Sequence, residues 1–144
     1  MRRTSLNEAD CPIARALDAV GDWWSLLIVR DAMFGLRRFG EFQKSLGMAK
    51  NILTARLRGL VAAGILDAVP NGAHNDYVLT RKGRDLFTVL VALRQWGETH
   101  QFPEGACPVE LLDRENRQPV GALELRAADG RRLSADDTMI RLRN

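Results

Sequence analysis

A chain of 144 residues, 46% hydrophobic and 27% charged, can bury a core and reads as one main domain with a small appendage. No apolar run approaches the roughly 20 residues of a membrane span. The opening Met1-Arg2-Arg3 has polar residues behind it rather than a signal peptide's apolar stretch, so the expected compartment is the cytoplasm. The net charge of +3 is unevenly placed: between residues 36 and 66, Arg37, Arg38, Lys44, Lys50, Arg56 and Arg58 stand against Glu41 alone. Such a block is the footprint expected for a phosphate backbone, although a merely solvated basic face would look the same by charge.

In chain order, Ile13 to Val20 has helical apolar spacing and stops at Gly21. Asp22 is placed to cap the next helix, WWSLLIVRDAMF, which is apolar nearly all round and predicts a buried central helix ending at Gly35. Phe39 to Leu46 repeats apolar residues at 39, 42 and 46, predicting two helical turns before Gly47. A further helix is expected over Ala49–Ala63, with Gly64 as its stop. Ile65–Val69 and Tyr77–Thr80 are β-prone segments joined by the turn-rich PNGAHND, the pattern of a small hairpin. Arg81 to His100 reads as one long helix, apolar on more than one side, with Leu90, Leu93 and Trp96 offering surface for a partner helix. Residues 109–142 suggest three short strands, with turns at Asn116–Pro119 and Ala128–Gly130. The expected domains are therefore 1–105 and a β-rich appendage, 106–144.

No catalytic pattern is visible. The two cysteines, Cys11 and Cys107, form no CxxC pair, the two histidines stand alone, and no phosphate-binding glycine loop occurs. The expectation is a protein with no enzyme activity, no metal and no cofactor.

The segment KNILTARLRGLVAAGIL carries the functional signal. At about 100° per residue, Leu53, Leu57 and Leu60 form one buried stripe. Asn51, Thr54, Ala55 and Arg58 fall on the opposite arc, which holds no acid. Arginine pairs with guanine, asparagine with adenine, and alanine or threonine packs on the thymine methyl, so this face fits the edges of base pairs. Arg56 lies at the border of the stripe, suited to an intramolecular partner or a phosphate. Arg37 and Arg38 suit backbone phosphate, with Lys50 beside them. Helix, helix, helix, strand, turn, strand is the order of a winged helix-turn-helix. The expected fold class is α+β, mainly α, with a dimerisation helix and a small C-terminal β appendage.

Cys11-Pro12, the Trp24 helix, Arg38-Phe39, Asn51-Leu53-Thr54-Arg56-Leu57 and Tyr77-Leu79-Thr80-Gly83 carry a family likeness. On these residues the chain, over about 11–100, resembles the HxlR-type winged-helix transcriptional regulators, relatives of the MarR group. The resemblance implies a homodimer bound to a pseudo-palindromic operator in double-stranded DNA. The recognition helix would enter the major groove, and the wing, with Asn71 and His74, would approach the minor groove. The first helix and the 81–100 helix would build the interface. It also implies Cys11 as a candidate sensor of oxidants or electrophiles, with Cys107 as a second thiol able to resolve it. Trp23 stands where the family usually has a basic residue; it would line a small-molecule effector pocket or the dimer seam. The wing lacks the family's arginine. A winged helix can also serve as a protein-interaction module, and that reading stays open on sequence alone.

Overall fold

The computed structural model describes residues 5–143 and divides into two compact units, up to Leu90 and from Val91 onward. The first contains α1 (Pro12–Val20), α2 (Trp23–Met33), α3 (Phe39–Leu46), α4 (Lys50–Ala62), strands β1 (Leu66–Asn71) and β2 (His74–Leu79), and α5 (Arg81–Arg84). Helix α6 (Phe87–His100) runs across the division. Residues 91–104 thus group with the C-terminal segment rather than with the first unit.

Each boundary has a local cause. Pro12 occupies the first turn of α1, where its missing N–H costs nothing. The helix ends at Gly21, whose N–H donates to the Leu17 carbonyl at 2.7 Å. A Cβ at Gly21 would lie 2.3 Å from that oxygen. Asp22 caps α2 as its position predicts, accepting the Ser25 N–H at 2.8 Å and the Ser25 hydroxyl at 2.6 Å. Helix α4 closes in a Schellman motif: Ile65 N–H donates to the Leu60 carbonyl and Gly64 N–H to that of Val61, with Gly64 at φ +74°.

The core of this unit is Ile28 and Val29 of α2, Phe42 of α3, Leu53, Leu57 and Leu60 of α4, then Ile65 and Leu66, all but fully buried. Met48, in the α3–α4 turn, joins them, and Trp24, Leu86 and Leu90 pack against the cluster. Helix α2 is central, as its composition predicts: Ser25, Ile28, Val29 and Asp31 are buried, Trp24, Leu26, Ala32 and Met33 pack half-buried against the core, and only Trp23 and Arg30 are exposed. Trp23 is 76% exposed.

The hairpin turns tighter than the seven-residue linker predicts: β1 and β2 are antiparallel in register to Asn71↔His74, leaving only Gly72 and Ala73 in the turn. Gly72 has φ +62°, which suits glycine at the first central position of a type II′ turn. The 81–100 helix is broken at Asp85–Leu86. Thr80 caps a single turn by accepting the Gly83 N–H, and Leu86 N–H bonds back to the Gly83 carbonyl three residues earlier, which interrupts the α pattern. Gly83 itself approaches Ile65 so closely that a Cβ there would sit 2.2 Å from the Ile65 carbonyl oxygen.

Residues 109–142, expected to form three short strands, hold no continuous strand. Isolated bridges form at Leu112↔Pro119 and Arg126↔Arg132, followed by a short 3-10 turn, Ala135–Asp137. The turns fall where the sequence places them, held by Asp113, Asn116 and Asp129 side chains accepting backbone N–H groups two residues on. Each hairpin closes after a few rungs. The Gln95 side chain ties this segment to α6, donating to the Gly121 carbonyl and accepting the Leu123 N–H. The Ser134 N–H and hydroxyl hold the Asp137 carboxyl below the ordinary carboxylate range.

Candidate nucleic-acid interface

Helices α3 and α4 meet through the three-residue turn Gly47-Met48-Ala49, with Gly47 in the left-handed region at φ +62° and Met48 buried beneath it. This sets α4 with its leucine stripe inward. Lys50, Asn51, Ala55 and Arg58 are exposed, in agreement with the wheel.

The face is not uniform. The Thr54 hydroxyl donates to the Lys50 carbonyl at 2.8 Å, so it can accept a hydrogen bond but has no proton to offer a base. Ala55 lies toward the α1 side of the helix. With Arg56 and Gly59 it borders a cleft of about 370 Å³ whose other walls include Asp18 and Asp22. Asn51 and Arg58 remain as the exposed polar side chains of the face, flanked by Lys50.

Of the two roles its border position allows, an intramolecular partner or a phosphate contact, Arg56 takes the first: it forms an ion pair with Asp22 at 3.3 Å. Asp22 therefore does two jobs: it caps α2 and holds α4. A second anchor fixes α3. The Asp31 carboxylate, almost buried, accepts the Ser45 hydroxyl at 2.7 Å and pairs with Arg30 at 2.9 Å.

At the start of α3, Glu41 accepts the Arg38 N–H at 3.0 Å and the Arg37 N–H at 3.2 Å. That fixes the backbone from which two exposed arginines project. The same stretch pairs with the wing: Tyr77 N–H donates to the Arg37 carbonyl at 2.7 Å, and Arg38 bridges to Asp76. Residues 37–38 are thus a one-rung third strand, and they lock the wing to the helix-turn-helix. Between them lies an open cleft of about 650 Å³ bordered by Arg38, Lys44, His74 and Tyr77. Arg38 and Lys44 lie on its rim together with Glu41, where α3 and the hairpin tip come together. At that tip His74 is exposed, while the Asn71 amide donates to Asp76 at 3.2 Å and is partly committed to the hairpin.

Glu41, Lys44 and the Asp31–Ser45 pair escape the sequence reading as site residues. Glu41 alone carries a signal, as the acid three residues after a helix cap.

Among the other candidates, Cys11 is exposed at the N-cap of α1. Cys107 is half-buried, its thiol donating to the Val109 carbonyl at 3.4 Å. On α6, Leu93 and Trp96 are exposed, whereas Leu90 packs on the core. Among the described residues no cluster of His, Cys, Asp or Glu is arranged to hold a metal, and no helix is long and apolar enough to cross a membrane.

The family model for the HxlR-like helix-turn-helix matches residues 19–104. Over 103 residues the chain is 46% identical to the HTH-type transcriptional regulator Rv3095 of Mycobacterium tuberculosis, covering 69% of this chain and 65% of the relative. It thus spans slightly under two thirds of that relative's length. The crystal structure of PA1607 matches with a TM-score of 0.92 at 57% identity, covering 96% of this chain and 99% of the other. The redox regulator HypR, in its reduced form, matches with a TM-score of 0.58 at 28% identity, over 63% of this chain and 94% of its own.

Proposed function

The chain belongs to the HxlR-like helix-turn-helix family of transcriptional regulators, and on that premise we propose that it binds a pseudo-palindromic operator as a homodimer and represses transcription there. The observation that carries the reading is the exposed, acid-free face of α4, with Asn51 and Arg58 free to meet base edges and Lys50 beside them. Arg37 and Arg38 at the start of α3 contact backbone phosphate and set the register. His74 and Asn71 bring the wing to the flanking groove, with Arg38 and Lys44 on the rim between α3 and the wing following the same strand. Thr54 and Ala55 contribute packing against a thymine methyl rather than donated hydrogen bonds. Leu93 and Trp96 supply the dimer contact on α6, with Leu90 at its core-facing edge.

Cys11 is the sensing thiol in this proposal. It is exposed at the start of α1, a helix the family places in the dimer interface, and the chain shares its fold with a redox regulator. Cys107, less accessible, is the second thiol.

Capture of genomic fragments by the purified protein at two ionic strengths tests the reading. One or a few promoter fragments should be enriched, each with an inverted repeat whose half-sites lie about 34–36 Å, one helical turn, apart. Their retention should fall steeply with salt. Absence of enriched DNA at either ionic strength would favour the protein-interaction reading instead.

A further inference from the structure

The C-terminal unit lacks a core of its own. Among described residues 91–143, Val91 alone is buried. Val109, Leu123 and Leu125 are exposed although turn hydrogen bonds fix the backbone around them. A unit of this size cannot hold one conformation without substantial apolar burial or a staple.

Met139 is 86% exposed, Ile140 94% and Leu142 78%. Thr138 is extended at φ −120° and ψ 156°, and its N–H makes the last backbone hydrogen bond in the described chain, to the Ala135 carbonyl. From Met139 to Arg143 the backbone N–H groups have no backbone acceptor among the described residues. Continued in the extended conformation of Thr138, the segment would place Ile140 and Leu142 on one face by alternation. Backbone without partners and with such a face is a template for strand addition.

We infer that residues 138–143 of one copy dock as a strand on the C-terminal unit of a second copy, so that each unit completes the other's core. Three observations select a second copy as the occupant. The missing core is needed whenever the unit is folded, so its cover must be present at the chain's own stoichiometry. Leu93 and Trp96, exposed on α6, belong to the same unit, and the new surface therefore continues the contact assigned to the dimer above. Charge is complementary as well. Arg141 and Arg143 lie in a tail with no acid, whereas residues 104–115 carry Glu104, Glu110, Asp113 and Glu115 against Arg114 alone. Under two-fold symmetry the contact is made twice, each tail on the other's unit.

The inference rests on the dimer part of the proposed function, and the experiment separates the two. Sedimentation of the full chain would be combined with hydrogen exchange at residues 139–143, for the parent and for Ile140→Asp/Leu142→Asp. Both side chains are solvent-exposed in the single chain, so the double substitution spares the winged-helix unit. The parent should sediment as a dimer with these amides protected at least tenfold over a free peptide, and protection should fall on dilution to monomer. The variant should raise the dimer dissociation constant at least tenfold and lose the protection. A dimer whose tail exchanges like a free peptide would overturn the inference and leave the dimer intact. So would protection that persists in the diluted monomer, which puts the tail on its own chain, or a variant with an unchanged dissociation constant. A parent that stays monomeric at all concentrations would overturn the dimer itself.

Discussion

Asp22 joins the stability of the fold to the placement of the recognition helix, so its removal and its neutral replacement should differ sharply. Asp22→Ala deletes three interactions. Loss of the N-cap bond to Ser25 N–H costs about 1 kcal/mol. The Ser25 hydroxyl is buried, and losing its acceptor adds roughly 1–2 kcal/mol. The Arg56 ion pair is partly solvent-exposed, with side-chain accessibilities of 42% and 22%, and contributes about 1 kcal/mol or less. The sum is roughly 2–4 kcal/mol of unfolding free energy. Asp22→Asn retains a capping oxygen, and its amide can donate to a rotated Ser25 hydroxyl. It should lose only the ion pair, about 1 kcal/mol or less. Urea unfolding at fixed protein concentration measures both. An alanine variant within about 0.5 kcal/mol of the parent, or an asparagine variant as damaged as the alanine one, would refute the reasoning.

Gly83→Ala should destabilise by at least about 2 kcal/mol, because backbone rather than a flexible side chain meets the new Cβ; a thermal midpoint equal to the parent's would contradict that close approach. Replacing Leu93 and Trp96 together with serine should give a monomer by sedimentation, since both are exposed in the single chain; an unchanged dimer places the interface elsewhere. Diamide should weaken operator binding in the parent and not in Cys11→Ser, followed by fluorescence anisotropy on labelled duplex. Equal loss in both would exclude Cys11 as the sensor and favour a ligand pocket.

Much of the first unit is legible locally. The 39, 42, 46 spacing gives α3 its observed limits, Phe39–Leu46, and Asp22 lies where a cap must be. The angular position of Arg56 at the stripe's edge already narrows it to an internal partner or a phosphate, and the structure shows the first. What is not legible depends on residues far apart in the chain. The rung between Arg37 and Tyr77 spans two helices and a strand, and no local pattern announces it. The break at Asp85–Leu86 is not legible either, because the local apolar spacing runs on through it. On α4 the wheel gives directions but not commitments, so the Thr54 hydroxyl's bond to its own helix stays hidden. In the C-terminal segment the β-prone residues are real, but a single chain provides only isolated rungs for them.

In the proposed function the exposed face of α4 reads base pairs while Arg38 only positions the protein. The most direct measurement is binding of the parent, Arg58→Ala and Arg38→Ala to the operator and to a set of its single-base-pair variants, across a range of salt. Arg58→Ala should lose about 1–3 kcal/mol, roughly 5- to 150-fold, on the operator and become indifferent to one base pair in each half-site. Arg38→Ala should weaken binding to every duplex alike and lower the salt slope by about one. If Arg58→Ala keeps the parent's preference at every position, α4 is not the reading helix and the account fails.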